Sequence, residues 1–188
     1  MKKIILFDFF GVISSEVAPK WFARFFEDEE AKRIKDKLVT PGDTGEKNEE
    51  EIFCDVAEAC GVTPDEVKDE WYRLALIDDA VVKYIKMLRK THHVYLLSNA
   101  IDTFLKTIIY KNNIENLFDK IYISSEIRLA KPDKSFFLHC IYDIGASPSD
   151  CVMIDDNPKN IAAAESVGIS GIIYTGIDDL KEKLAEII

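Results

Sequence analysis

The sequence predicts an α/β protein: a parallel sheet flanked by helices, with a small all-helical unit inserted after the first strand. Three observations carry that expectation. From residue 79 onward, short apolar runs alternate with amphipathic helical patterns, the signature of parallel strands joined by crossovers. Residues 15–78 hold helical patterns alone. A strand-like run at residues 3–7 stands apart before them with nothing nearby to pair with, so it must join the later sheet. The expected division is a core of residues 1–14 and 79–188 and a helical insertion of residues 15–78.

The first run, KIILF, is β-branched and aromatic, as a buried strand requires. It stops on Asp8, and Phe9-Phe10-Gly11-Val12-Ile13 follows. Ligands gather at the carboxyl ends of strands in open parallel sheets. An acid there, followed by a glycine that lets the chain turn, is a candidate nucleophile or metal ligand. A helix cap or a solvated loop acid is the alternative.

Through residues 14–37, Trp21, Phe22, Phe25 and Phe26 recur at helical spacing among charges. Residues 41–45 (PGDTG) form a turn cluster. Residues 50–59 resume a helical pattern through Ile52, Phe53, Val56 and Ala57, and Gly61 closes it. Thr63-Pro64-Asp65-Glu66 opens the next helix with a capping box and a proline in the first turn. Val67, Trp71 and Leu74 form its apolar side, and the aromatic stripe is expected to be the core of this unit.

In the second half, a helix over residues 80–90 leads to the run His93-Val94-Tyr95-Leu96-Leu97, which ends on Ser98-Asn99. Helices over 101–111, 134–143, 159–167 and 178–188 then alternate with strands at 121–123, 151–154 and 169–174. Lys131-Pro132-Asp133 precedes the helix at 134, and the strand at 151–154 ends on Asp155-Asp156-Asn157-Pro158.

Composition narrows the function classes. The chain has 188 residues, 47% of them apolar, which suits one core domain with a modest insertion. A net charge of −10 at pH 7 and a pI near 4.8 argue against nucleic acid or an anionic membrane as partner. The acidic stretches at 27–30, 46–51 and 64–70 read as solvated helix faces. No apolar run approaches the roughly 18–20 residues of a membrane span, and the first apolar run is too short for a signal segment. The expected location is the cytoplasm. Cys54, Cys60, Cys140 and Cys151 form no CxxC pair, and none of His92, His93 and His139 stands at metal-ligand spacing from them. They are expected to be reduced, mostly buried apolar residues.

Three strands thus end on polar groups: Asp8, Ser98-Asn99 and Asp155-Asp156. As parallel neighbours they converge at one edge of the sheet, within reach of Lys131. One carboxylate aimed as nucleophile, others as hard-oxygen ligands, a hydroxyl beside a helix amino end, and a lysine together suit a phosphate. Mg2+ prefers carboxylates and water and neutralises phosphate charge. The helix after Asn99 is expected to offer free N–H groups to phosphate oxygens. Attack of a carboxylate on phosphorus gives an aspartyl-phosphate, which water hydrolyses.

These motifs resemble those of the haloacid dehalogenase (HAD) superfamily, and the resemblance covers the whole chain. FDFFGV matches the first motif, with Asp8 at the nucleophile position and Val12 as the small residue four positions on. Leu97-Ser98-Asn99 resembles the second motif, Lys131 in AKPDKSFF the third, and MIDDNPKNIAAAESVGI the acidic fourth. The resemblance implies a Rossmann-like core with a helical cap, and a Mg2+-dependent phosphohydrolase acting on a small phosphorylated metabolite. It implies Asp8 as nucleophile, Lys131 holding nucleophile and phosphate, and Ser98 and Asn99 on the phosphate. It implies a metal shell of Asp8, the Phe10 backbone carbonyl, Asp155 and Asp156, with Asp156 favoured as the direct ligand of the last two. Asn157 and Asn160 cap or brace that loop.

One position departs from the pattern. Most phosphatases of the family carry a second Asp two residues after the nucleophile, which protonates the leaving group and later deprotonates water. Here that position is Phe10, which cannot transfer a proton. Such acid–base help is worth about 10²–10⁴-fold. Three alternatives stay open: a phosphatase that uses good leaving groups or borrows an acid from the cap or the substrate; a phosphoryl-ligand binding protein with little or no turnover; and a 2-haloacid dehalogenase, against which the Asp155-Asp156 pair stands. The cap is expected to carry specificity, with Asp43-Thr44-Gly45-Glu46 as the candidate loop and an ordinary interhelical turn as its alternative. Glu16, Trp21 and Arg24 are candidates to face the cleft.

Overall fold

The computed structural model describes residues 3–188. Strand β1 (Ile4–Phe7) is followed by four helices: α1 (Ala18–Phe22), α2 (Asp28–Asp43), α3 (Glu49–Cys60) and α4 (Pro64–Leu74). The alternating part then runs α5 (Asp79–Leu88), β2 (His93–Ser98), α6 (Asp102–Lys111), β3 (Lys120–Ile123), α7 (Ser124–Ile127), α8 (Lys134–Ile144), β4 (Cys151–Asp155), α9 (Pro158–Glu165), β5 (Ser170–Ile173) and α10 (Ile177–Ala185). The five strands form one parallel sheet in the order β3-β2-β1-β4-β5. The isolated first run therefore lies at the centre, with Ile4 opposite His93 on one side and Cys151 on the other.

Alternation along the strands builds two cores, because successive side chains point to opposite faces. Ile5, Phe7, Val94, Leu96, Val152 and Ile154 pack on one face, in a cluster that continues without a break into Trp21, Phe22, Ile52, Phe53, Val56 and Trp71 of α1, α3 and α4. Leu6, Leu97, Tyr122 and Met153 pack on the other against Phe136, Phe137 and Cys140 of α8 and Ile161 and Ala164 of α9. Helices α3 and α4 start with full capping boxes, Asn48 with Glu51 and Thr63 with Glu66. Gly61 ends α3 at φ +68°.

The structure departs from the sequence reading in four places. The aromatic stretch of 14–37, whose spacing reads as helical, is broken: short α1 and longer α2 are separated by turns and a bend over residues 23–26. The expected turn at 41–45 belongs largely to α2, which continues through Pro41 and Gly42 to Asp43. Pro41 has no N–H to donate back to Lys37, and its carbonyl accepts the amides of Glu46 (2.8 Å) and Lys47 (3.0 Å) as the helix unwinds. Helix α7 was not expected. Of the cysteines, Cys140 and Cys151 are buried, whereas Cys54 is exposed. Among the described residues, no helix is long and apolar enough to cross a membrane.

Candidate active site

Parallel register fixes the site. Phe7 pairs with Leu96 and Ile154, so Asp8, the end of β2 and the end of β4 emerge on one edge. Ser98, Lys131 and Asp155 are buried there and Asp8 nearly so. The Lys131 ammonium bridges two carboxylates, 2.8 Å from Asp8 Oδ1 and 2.7 Å from Asp155 Oδ2. Asp8 Oδ1 also accepts the Phe9 amide at 2.6 Å. Asp155 Oδ1 accepts the Asn157 amide at 2.9 Å, and Asn160 Nδ2 donates to both Asp155 oxygens at 3.0 Å. Asn160 thus braces Asp155.

Asn99 clips the lysine loop. Its Nδ2 donates to the Lys131 carbonyl at 2.7 Å and its Oδ1 accepts the Lys131 amide at 2.9 Å. The Ser98 hydroxyl makes a long 3.5 Å bond to the Asn99 carbonyl. The amides expected to be free before α6 are partly taken: Ala100 N–H donates to Ser124 Oγ and Asp102 N–H to Ser125 Oγ, each at 3.0 Å. The Ser124-Ser125 pair at the end of β3 was missed, although the strand-end rule that picked out Ser98 applies to it equally.

Burial raises the Asp8 carboxyl well above the usual range, and Asp155 adds to the rise while Lys131 opposes it. Asp156 is also raised, first by burial and then by Asp155. Burial disfavours the Lys131 charge, but Asp8 and Asp155 more than offset this and hold its pKa above the ordinary value. One ammonium therefore faces three carboxyl groups, and the surplus negative charge suits a cation.

The donor set fits a hard one. Asp8, Asp155 and Asp156 each offer an oxygen, all within 4.8 Å of one another. Gly11 makes room for this: at φ +84°, a Cβ there would lie 2.2 Å from Asp156 Oδ2. Carboxylate oxygens without sulfur or imidazole match Mg2+ or Mn2+ rather than Zn2+.

A cavity of about 190 Å³ opens over these groups. Asp8, Asn99, Lys131 and Asp156 line it with polar groups, and Phe10, Trp71 and Phe104 with aromatic ones. The Phe10 ring stacks on Phe104, with centroids 6.0 Å apart and planes at 15°. Trp71 is buried with its indole N–H unpartnered. Glu16 from the loop before α1 and Lys35, Thr40 and Asp43 from α2 also line it. Of the residues proposed to face the cleft, Glu16 does so, and of the proposed loop, Asp43 does so. Trp21 and Arg24 do not: the Trp21 indole donates to Cys60 Sγ at 3.3 Å, and Arg24 pairs with Glu70 at 2.6 Å over the Trp21 ring.

Fold and site together define an α/β protein whose parallel sheet gathers a buried lysine and an acidic cluster at one edge, beside its central strand. Residues 2–168 match the family model for haloacid dehalogenase-like hydrolases, and the chain belongs to that family. It is 27% identical to the D-ribitol-5-phosphate phosphatase of Bacteroides thetaiotaomicron, over all of this chain and 99% of that one. It is 32% identical to drimenol cyclase drtB of Aspergillus calidoustus over 94 residues, which is 50% of this chain but 18% of that protein. A HAD family enzyme from Bacteroides thetaiotaomicron superposes with a TM-score of 0.81 at 26% identity, over 97% of this chain and 98% of that one. The complex of that enzyme with magnesium and inorganic phosphate superposes with a TM-score of 0.76 at 27% identity, over 92% and 93%.

Proposed function

We propose that this chain is a Mg2+-dependent phosphohydrolase that removes phosphate from a small phosphorylated metabolite through an aspartyl-phosphate on Asp8. The observation that carries this reading is the Lys131 bridge beside Asp156 in its Gly11 cradle: an oriented nucleophile, a fixed positive charge and an acidic cation site at one strand edge. The match along nearly the whole of D-ribitol-5-phosphate phosphatase supports a substrate of that size.

Each residue then has a task. Asp8 attacks phosphorus. Lys131 holds the nucleophile and a phosphate oxygen, and the Ser98 hydroxyl turns from its long bond to a second oxygen. Asn99 lines the cavity and contributes chiefly by fixing the Lys131 backbone. Asp8, Asp156 and the Phe10 carbonyl would hold Mg2+, which neutralises phosphate charge when bound. Asp155 already accepts bonds on both oxygens, which favours Asp156 as the direct ligand and Asp155 as the brace. Phe10 offers no proton, so turnover of unactivated phosphates is attenuated unless another group serves. Residues 15–78 act as the cap, and the setting is a cytoplasmic metabolite pool. The acidic cation site favours phosphoryl chemistry over dehalogenation, which needs none.

The test is Asp8→Asn with an aryl phosphate, with and without Mg2+. Turnover is expected to vanish in the variant while its circular dichroism stays that of the wild type. Wild-type release in the variant refutes the nucleophile, and release unaffected by a chelator refutes the metal. Stabilisation by phosphate analogues without hydrolysis of any panel member would establish a binding protein instead.

A further inference from the structure

We propose that Asp43, at the end of α2, is the general acid and base that position 10 lacks. This rests on the phosphohydrolase reading above. The carboxyl group lines the same cavity as Asp8. Among the described residues none donates it a hydrogen bond, so it is free to engage a substrate. Asp8 lines the cavity just past the end of β1, whereas Asp43 lines it from the last residue of α2. In-line displacement puts the leaving oxygen on the side of phosphorus away from the nucleophile, so the acid has to come from an element other than the one that bears Asp8.

The Pro41–Gly45 segment forms a seat for this residue. The Ser124 hydroxyl donates to the Asp43 carbonyl at 2.6 Å, tying the helix end to the end of β3. A Cβ at Gly42 would lie 2.7 Å from Ile101 Cγ1, and one at Gly45 would lie 2.3 Å from the Ser125 carbonyl at φ +73°. Glycines on both sides of Asp43 thus let the helix end press onto the core. Such anchoring holds an acid in place against a substrate.

Glu16 is the other acid of the cavity wall. Asp156 is the charged group acting most strongly on it. Lys35 acts most strongly on Asp43, and Lys35 and Lys131 act on both acids. Burial chiefly raises the Asp43 carboxyl to about 7, with Lys35 and Lys131 lowering it and Glu16 raising it. A group near neutrality can both give and take a proton.

The steps balance. Asp8 attacks phosphorus, the bond to the leaving oxygen breaks, and that oxygen takes the Asp43 proton with the electron pair, releasing an alcohol. Water then attacks the aspartyl-phosphate while the Asp43 carboxylate takes a proton from it. The Asp8 oxygen leaves as carboxylate, and inorganic phosphate departs.

The experiment compares wild type, Asp43→Asn and Glu16→Gln on p-nitrophenyl phosphate and on the best alkyl phosphate from a panel that includes D-ribitol 5-phosphate. Nitrophenolate leaves without protonation, whereas an alkoxide does not. Asp43→Asn should lower kcat/KM for the alkyl phosphate by about 10²–10³-fold. It should release the first equivalent of nitrophenolate within about threefold of the wild-type rate and then turn over slowly, because hydrolysis of the intermediate has lost its base. That burst also counts folded sites. Equal losses on both substrates in the first step overturn the assignment. So does a loss below threefold on the alkyl phosphate, or the same leaving-group pattern in Glu16→Gln. A wild type silent on every substrate overturns the phosphohydrolase reading itself, and this assignment with it.

Discussion

Lys131→Met tests the electrostatic frame independently of any substrate. The substitution keeps the length and most of the volume of a side chain that is 1% exposed, and removes its charge. The ammonium lies 2.8 Å from Asp8 and 2.7 Å from Asp155, whose side chains are 11% and 0% exposed. Hydrogen bonds to charged groups contribute about 1.5–3 kcal/mol each, so two give about 3–6 kcal/mol gross. Relief from burying the ammonium returns part of this. Stripping one partner from a buried ion pair costs about 3–5 kcal/mol, which is the expected loss at pH 7. The pH dependence has a definite sign. The Asp8 carboxyl, already raised by burial, rises further without Lys131. An acid whose folded pKa exceeds its unfolded value loses stability as pH rises and recovers it as protons bind. The deficit should therefore shrink between pH 7 and pH 5. Urea unfolding followed by circular dichroism at both values reads it directly. A loss below about 1 kcal/mol at pH 7, or an equal loss at pH 5, would refute the reasoning.

Two further outcomes follow from the same geometry. Gly11→Ala places a Cβ 2.2 Å from Asp156 Oδ2 at φ +84°. It should cost about 1–2 kcal/mol for the left-handed backbone and weaken Mg2+ by about 10–100-fold through displacement of Asp156; wild-type Mg2+ dependence of turnover in this variant would contradict the cradle. The Asp43 carboxyl, pushed up to about 7 chiefly by burial, makes the folded state bind more protons than the unfolded chain between about pH 4 and 7. Stability therefore falls as pH rises through that window, and Asp43→Asn should flatten the fall. Identical slopes of melting temperature against pH in the two proteins would speak against it.

The sheet and its acidic edge are legible in the sequence for a physical reason. In a parallel sheet, strand ends coincide, so an acid after one apolar run and polar groups after two others have to meet. Asp8, Ser98 and Asp155 are placed by that logic alone. What a side chain touches is another matter. Asn99 looks like a phosphate ligand from its position, and its amide also clips the backbone of residue 131, a contact made across 32 residues of chain. Trp71 and Phe104 sit at core-like helical positions, and periodicity does not distinguish a residue facing the core from one walling a cleft. Gly42 signals a turn because glycine serves both bends and close approaches, and here the approach to Ile101 decides. Arg24 shares the first aromatic segment with Trp21, but which way that segment faces depends on the chain bend after α1.

The central place of β1 has a consequence for synthesis. Synthesis from the amino end makes β1 long before one of its neighbours, β4, which pairs Cys151 with Ile4 and arrives only after the residues between them have emerged. Closing so long a loop is entropically costly and slow. A chain that stops short of β4 carries Asp8 but neither Asp155 nor Asp156, and its β1 has an open edge that invites pairing with other chains. Asp8 therefore meets Asp155 and Asp156 only once β4 has been made.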